Sequence, residues 1–161
     1  MAWSTPKTWV DNVDVLSASN LNTHIRDEFK ALTEWTTYTP TWTATGGTPT
    51  VGNGSLSGSY ILAGDLLTLR IQLTIGSTTS LGTTTVWRFS LPSGVTGSGF
   101  NVTAGSAYDS SANTTQMVGG FVTAGAGTVG VNSHAGVNVG YLVPFTWATG
   151  DVLTIQGAIA C

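Results

Sequence analysis

Apolar and polar residues alternate strictly in the middle of the chain. Over residues 65–75 every second side chain is apolar, which is the period of a β-strand with one buried and one solvated face. The same period returns at 86–91, where Pro92 ends the run, and at 152–159. The residues predicted to face the core are Leu67, Leu69, Ile71, Leu73, Ile75, Trp87, Phe89, Leu91, Leu153, Ile155 and Ile159.

Weaker runs of the same kind lie between these three. They cover residues 100–108, 116–123, 128–132 and 141–145. Several strands about ten residues apart, joined by Gly-rich turns, favour an antiparallel β-sandwich with a jelly-roll-like arrangement. The sequence therefore predicts a mainly β protein, with the sandwich domain over residues 37–161 and a short α-helix before it.

That helix is predicted from a change of period. Ser17 to Asn20 offer N-cap side chains, and the stretch that follows to Trp35 contains no Gly or Pro. Its apolar residues form a single stripe of Leu21, Ile25, Phe29, Leu32 and Trp35. A helix of about 15 residues is marginal alone in water, so the stripe must pack against the chain's own β-domain or against copies of itself. Both alternatives are open from the sequence.

The residues before the helix are also apolar. Trp3, Trp9 and Val10 precede it. This apolar surface ahead of the β-domain favours an intermolecular contact. His24 beside the stripe, with Glu28 four residues on, is a candidate pH-sensitive interface residue, but a solvated helix histidine paired weakly to Glu28 is the favoured interpretation. We interpret residues 1–36 as an attachment segment followed by a trimerisation helix.

Charge is scarce and unevenly distributed. Charged residues make up 8% of the chain, the formal net charge is −3, and eight of the 13 charged side chains precede residue 36. This shift places a boundary near residues 35–40. A small net negative charge argues against nucleic acid as a partner, and no run approaches the roughly 20 apolar residues of a spanning helix, which argues against membrane insertion.

Cysteine usage and the N-terminus add little chemistry. The one cysteine, Cys161, allows no disulfide within the chain and no zinc site built from cysteines, and its role is unassigned. Residues 1–7 lack the apolar run of a secretory signal, so we expect assembly in the cytoplasm. No residue pattern indicates a cofactor or a metal ion.

Two motifs imitate catalytic or cofactor sites. Residues 125–130 match the dinucleotide-binding glycine pattern, but the following residues cannot form the helix that would hold a pyrophosphate, so a hairpin connection is favoured. His134 with Asp109 or Asp151 could be part of a hydrolase triad, yet no Gly-x-Ser-x-Gly elbow occurs. We therefore expect no enzymatic activity.

Polar and aromatic loop residues are the better candidates for binding. Tyr108, Asp109, Asn113 and His134 could contact a polar, uncharged ligand such as a sugar, because aromatic faces stack on sugar rings and these polar groups hydrogen-bond hydroxyls. Ordinary loop composition explains the same residues equally well.

Several segments resemble a known protein family. Residues 3–32, with the sequence Trp-Val at positions 9–10 and Leu-Asn-Thr-His-Ile-Arg-Asp at 21–27, resemble the N-terminal anchor of virion proteins of tailed phages that infect actinobacteria. Residues 38–47, 51–60, 87–92 and 151–157 resemble the β-domain of minor tail and tail-fibre proteins. The resembling motifs mark a structural module and not a catalytic chemistry.

The resemblance implies a non-enzymatic protein located in the virion. Such proteins are usually homotrimers whose helices meet on a threefold axis, and they often display a receptor-binding or carbohydrate-binding face. The implied partners are two further copies, other virion proteins of the tail or capsid, and a host cell-surface glycan. Because the chain is short, a capsid decoration or head-fibre protein that stabilises the shell is the alternative, and a carbohydrate-active enzyme that acts on the cell wall is the third hypothesis.

Overall fold

A computed structural model describes residue 10, residues 17–83 and residues 85–161. Its helical region comprises α1 (Ala18–Leu21), a π-helical segment (Asn22–Arg26) and α2 (Asp27–Thr33). The predicted N-cap is confirmed, because the Asn20 N–H donates to Ser17 Oγ over 3.1 Å. The helix ends at Thr33, since Glu34 has an extended backbone, and Trp35 therefore lies beyond it. No helix in this described part of the chain is long and apolar enough to cross a membrane.

Nine strands form a single antiparallel sheet. They are β1 (Thr36–Tyr38), β2 (Trp42–Thr45), β3 (Ser55–Ala63), β4 (Leu66–Thr74), β5 (Val86–Ser90), β6 (Asn101–Asp109), β7 (Thr114–Val122), β8 (Thr128–Ser133) and β9 (Val152–Ala160). Their order across the sheet is β1-β3-β4-β9-β6-β7-β8-β5-β2. The prediction of a mainly β chain with a short helix is confirmed. What the structure contains is one curled sheet, and the two-layer sandwich or jelly roll is not confirmed.

The two edge strands of the curled sheet, β1 and β2, follow each other in the chain. Between β1 and β2, the Thr41 N–H donates to Ser90 Oγ over 2.8 Å, and the Ser90 N–H donates to the Thr41 carbonyl over 3.0 Å. The Tyr38 hydroxyl donates to the Ser90 carbonyl over 3.1 Å. Gly58 lies opposite Tyr38 in β3, and any Cβ there would collide with the tyrosine ring. The Tyr38–Ser90 bond connects β1 to β5 near the opposite edge of the sheet, whereas the Thr41–Ser90 bonds extend the β2–β5 pairing.

The hydroxyl of Tyr38 gives a pH-dependent test of this connection. Burial, and secondarily the neighbouring Tyr60, raise the pKa of Tyr38 well above its usual value. An unfolded tyrosine titrates near pH 10, so the stability that the protonated hydroxyl provides is complete below about pH 10 and is lost as the pH rises further. Tyr38→Phe should cost about 1 kcal/mol at pH 7, the value of one hydrogen bond. It should also flatten the fall in stability above about pH 10, measured by urea unfolding across pH. An unchanged pH profile would contradict this role.

The core lies on the concave side of the curled sheet, and every residue predicted to face it is buried. Strands distant in sheet order share this core, since Leu69 of β4 and Phe89 of β5 belong to one cluster. Three tryptophans pack at one end of it. The Trp87 ring lies 4.8 Å from that of Trp42 and 5.0 Å from that of Trp147, measured between centroids.

Two local predictions differ from the structure. Residues 141–145 form no strand, because Pro144 has no N–H to donate to a ladder, and the backbone instead makes an isolated bridge between Gly140 and Val143. Strand β3 was not predicted from alternation. Most residues of β3 are half-buried on both faces, so the strand shows no clear alternation of buried and exposed positions. Helix α2, whose Ala31 is buried, packs against this strand.

Candidate functional site

The apolar stripe of the helix faces away from the sheet. Phe29 is 65% exposed and Ile25 is 44% exposed, whereas Ala31 on the opposite side of the helix is only 3% exposed. The remaining stripe residues, Leu21 and Leu32, are exposed as well. Of the two alternatives left open by the sequence, packing of the stripe against the chain's own sheet is therefore not what the structure has.

The helix instead turns a small and polar side toward the domain. His24, Asp27 and Glu28 are half-buried on the same side as Ala31. A shallow hollow of about 200 Å³ lies along the stripe and is lined in part by Ile25 and Phe29. An apolar patch that remains in water on a folded chain is typical of an interaction surface.

Trp35, predicted as the last member of the stripe, occupies a different position. It follows the end of α2, and the Arg70 guanidinium lies 5.8 Å from the centroid of its ring. Arg70 belongs to the solvated face of β4, so Trp35 packs beside the outer surface of the sheet. Its side chain is still 47% exposed and is available to a partner at the junction of helix and sheet.

The predicted virion-attachment residues are described only in part. Val10 is 53% exposed. Trp3 and Trp9 lie outside the described residues, so their role in attachment stays a prediction. The division into residues 1–36 and 37–161 also stays a prediction, although helix gives way to strand between Thr33 and Thr36.

Three of the four predicted ligand-binding residues meet in the β6–β7 hairpin. The Tyr108 hydroxyl donates to Asn113 Oδ1 over 3.0 Å, and Asn113 adopts a left-handed backbone with φ of 50°. Asp109 Oδ1 accepts from the N–H groups of Ala112 and Ser111, each over 3.0 Å, and from the Ser111 hydroxyl over 2.7 Å. These bonds, that of Ala112 first, lower the pKa of Asp109. The three side chains therefore build the turn.

His134 lies across β7 from that hairpin. The backbone N–H of His134 donates to the Met117 carbonyl over 3.2 Å. Thr115, two residues before Met117, is the cross-strand partner of Tyr108. A hollow of about 280 Å³ is lined by Thr115, Met117 and His134 together with Gln116. The imidazole is thus on the same outer face of the sheet as Tyr108, but Tyr108 does not line the hollow that contains it.

The two motifs that imitate other chemistry are explained by local structure. Residues 123–127 connect β7 to β8, which pair antiparallel, so the predicted hairpin connection is confirmed for the Gly-rich segment. Asp151, considered above as a catalytic carboxylate, is fully buried. Its Oδ1 accepts from the N–H and the hydroxyl of Ser110, each over 2.9 Å, and its Oδ2 from the Ala148 N–H over 2.7 Å. The sequence did not reveal this tether between two loops.

Comparison with protein families, with curated proteins and with solved structures found no match to this chain.

Proposed function

We propose that this chain is a non-enzymatic structural protein of a phage virion, which assembles as a homotrimer through the helix stripe and projects its β-domain outward. The observation that carries the proposal is the exposure of Leu21, Ile25, Phe29 and Leu32 on a helix that is already packed against its own sheet by Ala31. A helix that used its apolar face for intrachain packing would have the reverse orientation.

Burial of the stripe supplies the energy for assembly. Each large apolar side chain removed from water contributes about 1.5–3 kcal/mol, and three helices around a threefold axis would bury the stripe of every copy. The N-terminal segment, with Trp3, Trp9 and Val10, would then attach the trimer to other tail or capsid proteins. Virion location and assembly in the host cytoplasm are part of this proposal.

The β-domain is proposed as the adhesive part, used in a tail fibre or minor tail protein to contact a host cell-surface glycan. Its solvated face is nearly uncharged, because only Asp65, Arg70, Arg88, Asp109 and Asp151 are charged after residue 36. We propose that the curled sheet acts as a sandwich-like, jelly-roll-like body, since strands from distant parts of the sheet share one core.

Light scattering of the purified full chain tests the assembly. We expect a mass of three chains of 16.6 kDa each at micromolar concentration. A stable monomer would overturn the proposed trimer. A cryo-EM map of the intact particle would locate the protein on the tail or on the capsid, and its absence from both would overturn the virion assignment.

A capsid decoration or head-fibre protein is the second candidate. It is favoured by the compact junction of helix and sheet, where only Glu34 and Trp35 separate α2 from β1. In that case the trimer would stabilise the shell without a receptor. Labelled protein that binds host cells would favour adhesion, and protein that binds only to capsids would favour decoration.

A further inference from the structure

A groove crosses the outer face of β6, β7 and β8. In the register of these strands, Ala104 lies opposite Gly119, and Gly119 lies opposite Asn132. Ala104 and Gly119 are small and stand between larger residues of β6 and β7, so the surface dips along this row. The resulting groove has a volume of about 450 Å³, within the range of about 300–1,000 Å³ that small-molecule sites occupy.

The neighbouring rows form the two walls of the groove. On one side Val102 pairs with Phe121, and Phe100 lies at the start of β6. On the other side stand Met117 and His134. Phe100, Val102 and Met117 are each at least 67% exposed, so these walls present apolar surface to solvent.

The Phe121 ring, which forms part of the aromatic wall, packs against Gly130 and lies near Arg88. A Cβ on Gly130 would meet the Phe121 ring at 2.5 Å, so the ring lies directly over this glycine. The Arg88 guanidinium lies 5.8 Å from the centroid of the same ring. Phe121 is therefore packed by Gly130 and Arg88 before any ligand binds, and such preorganisation reduces the entropic cost of packing a ligand against the ring.

The row of Ala104, Gly119 and Asn132 forms the floor of the groove, and it ends in a hydrogen-bond acceptor that has no donor among the described residues. Asn132 Oδ1 is buried and has no hydrogen-bond donor among the residues that the structure describes. A buried acceptor without a partner costs about 1–3 kcal/mol, which a bound hydroxyl or amide N–H would recover. Because this atom has almost no accessible surface, a ligand donor reaches it once the Asn132 side chain turns toward the groove that the residue lines.

The charge of the lining restricts the ligand further. The residues that line the groove include no lysine, arginine, aspartate or glutamate, and His134 is the one titratable side chain among them. Apart from His134 in its protonated form, no lining residue would hold a phosphate or carboxylate by a charge-assisted bond. An uncharged ring with one apolar face and several hydroxyls matches apolar walls with a buried acceptor between them.

We propose that this groove binds an uncharged pyranose sugar, with a C–H face against Phe121 or Met117 and a donor group on Asn132 Oδ1. The proposal rests on the proposed adhesive function and names its ligand class and its site. It places the site on the outer face of the sheet and not at the Tyr108–Asn113 turn, whose polar groups satisfy one another. Of the residues predicted to bind a ligand, only His134 lines it.

The test uses the full chain on immobilised oligosaccharides of neutral hexoses and N-acetylhexosamines, with glycans that carry uronic or sialic acid as the charged set. We expect binding to at least one neutral saccharide and at least a tenfold loss of affinity in Gly119→Val, confirmed by calorimetry. The added side chain fills the floor at modest structural cost, because the backbone of Gly119 is compatible with L-residues and the Cβ meets only the Thr103 carbonyl, at 3.2 Å.

Ala158→Val is the matched control, because it adds bulk on an exposed position of β9 that does not line the groove. If Gly119→Val fails to fold, Asn132→Leu removes the acceptor at similar volume and should lose affinity to the same degree. Binding to no neutral saccharide, binding to charged glycans alone, or unchanged affinity in both variants would overturn the site. A loss of the trimer in Gly119→Val would show that a second copy occupies the groove, which also overturns it.

Light scattering of the same samples separates this proposal from the trimer proposal. A monomer that binds a neutral sugar through Gly119 and Asn132 would retain the site and overturn the assembly. A trimer that binds none would retain the assembly and overturn the site.

Discussion

The Phe29→Asp variant is expected to be a folded monomer at concentrations where the unmodified chain is a trimer. Phe29 is 65% exposed in the single chain, so its replacement removes little packing from the monomer. In a threefold seam each buried ring would contribute about 1.5–3 kcal/mol, and three carboxylates would be brought together near the axis. A loss of ~4.5 kcal/mol or more raises the dissociation constant by more than about a thousandfold, measurable by sedimentation equilibrium.

Thr23→Asp is the matched control for that experiment. Thr23 is an exposed polar residue of the same helical region, and it is not part of the stripe. It introduces the same charge with a similar effect on helix propensity, so the variant should remain a trimer. If Phe29→Asp also remains a trimer, the stripe is not the interface. If it unfolds at a lower temperature without any change in assembly, the stripe packs within the chain.

The spacing of the apolar residues predicted the helix and its stripe but not the orientation of the stripe. An intrachain partner and an intermolecular partner require the same pattern of apolar positions. The orientation of the stripe depends on how α2 packs against β3. Ala31 is buried on the side of the helix that faces the domain, and Phe29 remains in water. The end of the helix was placed two residues too late, because the stripe was extended to Trp35, which contacts the sheet near Arg70.

The buried positions of the sheet were the most predictable part of the fold. In β4 and β9 one face is core and the other is solvated, so the period of two is clear in the sequence. Strand order was not predictable in the same way, because it depends on which distant strands pair. The Tyr38 hydroxyl of β1 bonds Ser90 of β5 near the opposite edge of the sheet, and Thr41 extends the β2–β5 pairing beside it. No local pattern marks those contacts.

The composition of the loops predicted ligand-binding residues in the β6–β7 turn, but it did not predict the groove. Tyr108, Asp109 and Asn113 are typical turn residues, and the structure uses their polar groups to form a turn. The groove depends on the register of three strands. The pairing of β7 with β8 brings Gly119 beside Asn132, although 12 residues lie between them in the sequence. The sequence signal that could have found it is the pair of glycines at 119 and 120 within the apolar second half of β7.

The Asp151→Ala variant is expected to lose about 3 kcal/mol of unfolding free energy, because two partly buried amide N–H groups lose a charged acceptor, and a hydrogen bond to a charged group is worth about 1.5–3 kcal/mol. These are the N–H groups of Ser110 and Ala148, which the Asp151 carboxylate connects across the end of the sheet. Guanidinium unfolding followed by tryptophan fluorescence measures the loss, and Trp147 lies next to Ala148 as a reporter.

Two further variants separate the tether from a general effect of removing a carboxylate. Asp109→Ala removes an acceptor of similar bonding from an exposed turn, so its loss should be clearly smaller. Asp151→Asn keeps an oxygen for Ser110 but turns an amide toward the Ala148 N–H, so its loss should fall between the other two. Equal stability of all three variants would contradict the tether. Asp151→Asn, together with an additional Asp109→Asn variant, tests the carbohydrate-active enzyme hypothesis. Turnover of a cell-wall glycan by the unmodified chain that is lost in either variant would show a catalytic role for that carboxylate.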